Sequence, residues 1–188
     1  MSKIFIVSND RFYFKEKFIF NSNKNTFTIL NCFRKLKKVF LIARLSKRKF
    51  KFKNKTNNIE IINLFKLFKI LDQIKKRKII VVSLTPYNFI VSLILIFAGV
   101  KKKNFFLFLR SDGFKEYQIK FGMIGYFIYW IMFNLLNKNL NILSCSKTLT
   151  GVEKPRLIFP SEITDKWLEK RKNQLKKISK KRAVRLLY

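Results

Sequence analysis

The sequence predicts an α/β domain wound on both sides of a mostly parallel sheet, and three features lead to that class. Short runs of β-branched and aromatic residues, such as Ile4–Val7 and Ile79–Val82, lack polar alternation, as strands buried on both faces do. Segments of helical period separate these runs, which is the spacing of βαβ units with right-handed crossovers. A dense polar octet, Arg110-Ser111-Asp112-Gly113-Phe114-Lys115-Glu116-Tyr117, follows one apolar run directly. In an open α/β sheet ligands gather there, outside the carboxyl ends of the strands.

The elements follow in chain order. Ile4–Val7 reads as a first strand breaking into a polar loop, Ser8-Asn9-Asp10-Arg11, with a weak helix next near residues 25–37. Val39–Ala43 and Ile59–Ile62 read as strands two and three, separated by a basic stretch from Arg44 to Lys55. Leu64, Leu67, Phe68, Leu71 and Ile74 then recur at helical spacing, which puts one apolar face inward and leaves Lys66, Lys69 and Asp72 in water. Strand Ile79–Val82, a turn at Thr85-Pro86 and a helix from Phe89 to Ala98 ending near Gly99 come next, with Pro86 suited to the helix entrance. Strand Phe105–Leu109, helix Gly122–Leu136, and strands Asn141–Ser144 and Arg156–Phe159 follow. A charged helix from Thr164 to Ile178, with Thr164 as N-cap, completes the first domain, taken as residues 1–178. Residues 179–188 contain a strand, Ala183–Tyr188, with nothing to continue into, and are expected to open a second domain cut short by the end of the chain.

Composition removes several chemistries. The chain has 188 residues, enough for one domain with a true core, and no histidine, so Ser-His-Asp and Cys-His catalysis and His-ligated zinc are excluded. Cys32 and Cys145 match no metal spacing and read as core thiols in a reducing compartment. No metal or tightly held cofactor is expected. Lys and Arg number 42 against 10 Asp and Glu, a net charge of +32, although hydrophobic residues make up 48%. Codon bias toward Lys, Ile, Asn and Phe accounts for part of that excess; the rest favours a polyanionic neighbour, nucleic acid or an anionic membrane surface. The apolar run before Asn9 is too short for a signal peptide, so the expected location is cytoplasmic, peripheral on the inner face of the membrane.

Two stretches raise the question of a membrane span. Ile79–Val100 carries no charge, but Ser83, Thr85, Pro86, Tyr87 and Asn88 at its centre suit a strand, turn and helix instead. Phe121–Leu136 is short and contains Gly122, Gly125 and Asn134, so a monotopic helix at the interface fits better than a span. The alternation Lys49-Phe50-Lys51-Phe52-Lys53 would put lysines on one face of a strand and phenylalanines on the other. Such a strip binds single-stranded nucleic acid, rests on anionic lipid, or is an edge strand protected by lysines.

The order of elements, the octet Arg110–Tyr117, Leu84-Thr85-Pro86 and Phe159-Pro160-Ser161-Glu162 together resemble the N-terminal domain of bacterial glycosyltransferases with two Rossmann-like domains, the group 1 or family 4-like class. The resemblance covers most of the chain, from Lys3 to Tyr188. It implies a Rossmann-like three-layer α/β/α fold, the N-terminal half of a GT-B architecture, with Ala183–Tyr188 as the first strand of the donor-binding half. The implied activity is retaining, metal-independent transfer of a sugar from a nucleotide-activated donor to a saccharide or lipid-linked acceptor. The nucleotide sugar is a co-substrate held mainly by the second domain, so this chain would hold the acceptor and is expected to be inactive alone. Nucleic acid is not an implied partner; a basic, non-catalytic nucleic-acid-binding or membrane-associated protein is the alternative. The chain departs from the family where Ser8-Asn9-Asp10-Arg11 replaces a glycine-rich loop, and where Ser111-Asp112-Gly113 stands in place of a histidine.

Sugar transfer develops an oxocarbenium-like ring and a departing diphosphate, which calls for cations or helix N-termini and for polar groups around the hydroxyls. Asp112 and Glu116 are the candidate catalytic carboxylates. Arg110 and Lys115 would meet phosphate or orient them, Ser111 would bind substrate, and Gly113 would let backbone approach the ligand. Asn9, Asp10, Pro86 and Tyr87 are further substrate-binding candidates. Plainer roles exist for each: an Arg110–Glu116 ion pair, a turn at Asp112-Gly113, or a helix cap from Ser111 or Asp112.

Overall fold

The computed structural model describes residues 3–16, 18–23, 26, 29–30, 38–55, 58–145 and 156–157. Cys32, most of the helix expected near residues 25–37, the helix from Thr164, the boundary at 178 and the closing strand lie outside them. The chain divides after Ile158, and all described residues belong to the first unit.

The architecture is α/β with a mostly parallel sheet. Its strands are β1 (Lys3–Lys15), β2 (Phe18–Asn21), β3 (Lys38–Leu45), β4 (Phe52–Lys55), β5 (Ile59–Ile62), β6 (Lys78–Val82), β7 (Phe105–Leu109), β8 (Asn141–Ser144) and β9 (Arg156–Leu157). Parallel pairing runs in the order β5-β3-β1-β6-β7-β8-β9. From β1 the chain first builds outward through β3 and β5, then crosses to the other side for β6 and its successors. The direction of winding therefore reverses between β1 and β6, and such a reversal leaves a crevice at the carboxyl ends of the flanking strands.

β1 corrects one expectation. Ser8–Arg11 does not break the strand into a loop but forms a bulge, where pairing with β3 slips from Val7↔Ile42 to Arg11↔Arg44. Local bonds hold the extra residues: the Ser8 hydroxyl donates to the Asp10 carboxylate at 3.2 Å, and the Asp10 amide donates back to the Ser8 oxygen at 3.3 Å. Beyond the bulge β1 leaves β6 and pairs antiparallel with β2, which pairs antiparallel with β4. The Lys49–Lys53 alternation is not one strand, since β4 begins at Phe52. Lys53 Nζ lies 3.7 Å from the centroid of the Phe18 ring, and Lys49 Nζ lies 5.1 Å from that of Phe20. Lysines cover those rings on β2, the arrangement expected of a protected sheet margin.

Three helices, α1 (Leu64–Ile74), α2 (Pro86–Phe97) and α3 (Gly113–Asn137), pack on one sheet face against Phe5, Val7, Val81, Leu107 and Leu109. The opposite face, with Ile4, Ile6, Val39 and Leu41, packs against Leu30. Asn63 caps α1 by accepting from the Lys66 amide at 2.9 Å. Leu67 and Ile74 are buried as the helical period requires, but Phe68, expected on the same face, is 56% exposed. α2 begins three residues earlier than its pattern indicated, because Thr85 caps it and Pro86 fills its first position.

α3 departs furthest from the reading by period. It starts at Gly113 under an Asp112 cap, not at Gly122, and at Gly122 its backbone leaves helical geometry with φ 64° and ψ −152°. The two halves fold back on each other there. The Phe114 ring lies 4.7 Å from Tyr129 and 5.6 Å from Phe133, centroid to centroid. In an unbroken helix Phe114 and Phe133 would stand about 28 Å apart.

Candidate functional site

A cleft of about 470 Å³ opens at the reversal point, bounded by the carboxyl ends of β1, β6 and β7. The β1 bulge supplies Ser8, Asn9 and Asp10. Two hydroxyls hold the Asp10 carboxylate, because Thr26 Oγ1 also donates to the oxygen that Ser8 reaches. The Asn9 carbonyl accepts from Arg44 Nη2 at 2.6 Å and from Nε at 3.1 Å, which ties the bulge to β3.

The end of β6 supplies Ser83, Thr85 and Pro86. Ser83 takes a left-handed φ of 66°, uncommon for a side chain other than glycine, asparagine or aspartate. Its neighbours enforce that geometry. The Ser83 amide donates to the Phe108 carbonyl at 2.9 Å, and buried Asn88 donates through Nδ2 to the carbonyls of Val82 at 2.7 Å and Ser83 at 2.9 Å. Among the described residues, buried Asn88 Oδ1 has no hydrogen-bond partner.

The end of β7 and the first half of α3 supply Arg110, Ser111, Gly113, Glu116, Tyr117 and Lys120. Arg110 and Glu116 do not pair with each other; the ion pairs among the described residues are Lys38–Glu60 and Lys75–Asp72. Cation and carboxylate therefore both remain available within the cleft. The N-termini of α2 and α3 adjoin the same space, through Thr85 and Pro86 and through Ser111 and Gly113, so two helix dipoles present their positive ends there.

Of the candidates read from the sequence, the cleft gathers Asn9, Asp10, Pro86, Arg110, Ser111, Gly113 and Glu116. Asp112 and Lys115 are not in its lining. Asp112 is the cap of α3, its Oδ1 accepting from the Lys115 amide at 3.2 Å. Gly113 has a packing role as well, since a Cβ there would overlap the Tyr129 ring. Tyr87 lies elsewhere, in a second cavity of about 390 Å³ with Arg11 and Arg44, and the Arg44 guanidinium stands 5.5 Å from its ring centroid. Burial raises the Tyr87 pKa, with Arg44 pulling the other way.

The period reading missed Tyr129, which reaches the cleft because α3 folds back. Burial pushes its phenol well above the ordinary range, and the nearby Tyr117, Glu116 and Asp112 push in the same direction. It therefore stays protonated and can donate a hydrogen bond. Tyr117, at 5.1 Å between ring centroids, is raised by burial and by Glu116. The available signal was the glycine pair: Gly122 supplies the turn, and a Cβ on Gly125 would overlap the Tyr117 carbonyl. Ser83, Thr26 and Lys120 were also missed, each carried by an element whose partners are distant in sequence.

No cluster of three or more acidic or cysteine side chains suited to a metal ion occurs among the described residues. No protein-family model matches the chain, and neither does any curated protein or solved structure.

Proposed function

We propose that the chain is the acceptor-side, Rossmann-like domain of a GT-B glycosyltransferase, which moves a sugar from a nucleotide-activated donor to a saccharide or lipid-linked acceptor. The strand order with its reversal at β1, and helices covering one sheet face with Leu30 against the other, support the finer fold. The observation that carries the function is the cleft: a cation and a carboxylate that form no ion pair among the described residues, serine and threonine hydroxyls and two tyrosines converge at the carboxyl ends of three parallel strands. That mixture suits a hydroxylated, anionic ligand.

In this reading Glu116 accepts hydrogen bonds from acceptor hydroxyls, and Tyr129, held neutral by its surroundings, donates one. Tyr117 offers a ring face to the sugar, while Arg110, Lys120 and the α2 and α3 N-termini offset the charge of phosphate. Asp112 contributes through the cap that orients the first turn of α3, carrying Glu116. The donor nucleotide falls to a partner domain, as the resemblance implies.

Saturation-transfer NMR of the chain with soluble mono- and oligosaccharides and sugar phosphates tests this reading. Transfer to the sugar ring is expected, weakened on the order of tenfold in Glu116→Gln, whose lost charge removes a charge-assisted hydrogen bond. If no saccharide receives transfer, and single-stranded nucleic acid binds with a steep salt dependence, the chain is a nucleic-acid-binding module instead.

A further inference from the structure

The fold-back of α3 leaves an apolar surface exposed among the described residues. Ile119 is 85% exposed, Ile124 72%, Met123 69%, Phe121 63%, Phe127 58% and Trp130 46%. Isolated apolar residues are ordinary on a surface, but contiguous ones around a single turn are not. The geometry points to a monotopic docking tip: the break at Gly122 seats these side chains in the interface of an anionic bilayer, with the mouth of the cleft at the lipid boundary.

The occupant follows from charge, aromatic character and shape. Lys115 and Lys120 flank the tip with Glu116 as the sole acid among residues 113–137, and the chain carries a net charge of +32, so an anionic lipid surface is the complementary partner. Trp130, stacked on Phe127 at 5.7 Å between centroids, is the kind of ring that favours the headgroup level. By length and composition α3 passes for a membrane span, but the break at Gly122 divides it into two halves, each shorter than the roughly 20 residues a span requires. A folded-back apolar helix with basic flanks lies in the interface and does not cross. Lys120 and Phe121 belong both to the tip and to the cleft lining, so a molecule entering the cleft at this side comes from the lipid. Resting on the transferase reading, this selects a lipid-linked acceptor over a soluble saccharide chain.

Vesicle flotation of the full chain tests the proposal, comparing phosphatidylcholine with phosphatidylcholine containing phosphatidylglycerol. The triple variant Ile119→Glu, Met123→Glu, Ile124→Glu changes exposed side chains only and should keep the native melting curve. The native chain should float with the anionic vesicles, and the triple variant should bind them on the order of tenfold more weakly. In a Trp167→Phe background, Trp130 emission should shift to the blue on binding and be quenched by brominated lipid. Flotation of the triple variant equal to the native chain, or no response from Trp130, overturns the proposal and assigns any binding to charge alone. A native dimer that the triple variant turns into a monomer, with no vesicle binding, overturns it in favour of an interface between two copies. Saccharide binding measured without lipid is independent of these readouts, so failure of the tip and failure of the transferase reading are distinguishable.

Discussion

Substituting Gly122 by alanine tests the central structural claim through the sign of one number. Were α3 a continuous helix, replacing a mid-helix glycine would stabilise the fold by about 0.5–1 kcal/mol, because alanine loses less backbone entropy on folding. At φ 64° and ψ −152°, however, Gly122 occupies a region that is essentially reserved for glycine. A side chain forced there costs about 1–3 kcal/mol, offset by about 0.4–1 kcal/mol from the reduced entropy of the unfolded chain. Open space surrounds the position of the added Cβ, so no steric clash enters the sum. The net expectation is a loss of about 1–2 kcal/mol.

For a domain of this size such a loss lowers the melting temperature by about 2–8 °C. Thermal unfolding followed by circular dichroism, paired with urea titration, measures it. The near-ultraviolet signal of the Phe114, Tyr117, Tyr129 and Phe133 cluster should weaken alongside, since those rings meet only through the fold-back. A melting temperature that rises, with the aromatic signal unchanged, would refute the break and restore the continuous helix. The docking tip and the placement of Tyr129 would fall with it.

Gly113→Ala should destabilise by about 1–3 kcal/mol, because its Cβ overlaps the Tyr129 ring; unfolding in urea measures it. Asp112→Ala removes the α3 cap and should cost about 1 kcal/mol in the same assay, whereas Glu116→Gln should change stability by less than about 0.5 kcal/mol and act on ligand binding alone. The pH dependence follows from Tyr87, Tyr117 and Tyr129, whose folded pKa values are all raised. Their contribution to stability is complete below the unfolded value near 10 and is lost as pH rises through the folded values, because the unfolded chain gives up those protons first. The urea midpoint should therefore begin to fall as pH approaches about 10 and keep falling above it, and Tyr129→Phe should flatten the fall.

The strands were legible where burial on both faces makes a continuous apolar run, and the bounds expected for Ile59–Ile62, Phe105–Leu109 and Asn141–Ser144 are those of β5, β7 and β8. β1 was read too short because its polar bulge imitates a strand end; the bonds that keep Ser8 to Asp10 in the sheet come partly from Arg44, distant in sequence. The start of α3 was missed for a related reason. Asp112-Gly113 has the composition of a turn, and only the hydrogen bond to the Lys115 amide distinguishes a cap. Sheet order was beyond reach, since register is a matter of pairing between remote segments. The octet after β7 was legible as a site because its position at a strand end is set by local sequence. Which of its members face the cleft depends on the helical turn that Asp112 begins, and this places Glu116 in the lining while keeping Asp112 and Lys115 out of it.

One residue without a side chain thus connects features that the sequence presents separately. The turn at Gly122 returns the second half of α3 along the first, which brings Tyr129 over Gly113 and into the cleft. The same turn exposes Met123 and Ile124 beside Ile119 and Phe121 at the far end of the fold-back. An exposed apolar tip and a cleft lining that share Lys120 and Phe121 are therefore consequences of a single backbone event. The two remain separable by chemistry. Charges placed on the tip leave Gly113 and Tyr129 in contact, whereas a Cβ on Gly113 disturbs the cleft without touching the tip. If each variant altered only its own readout, while Gly122→Ala altered both, the causal order running from turn to packing to site would stand.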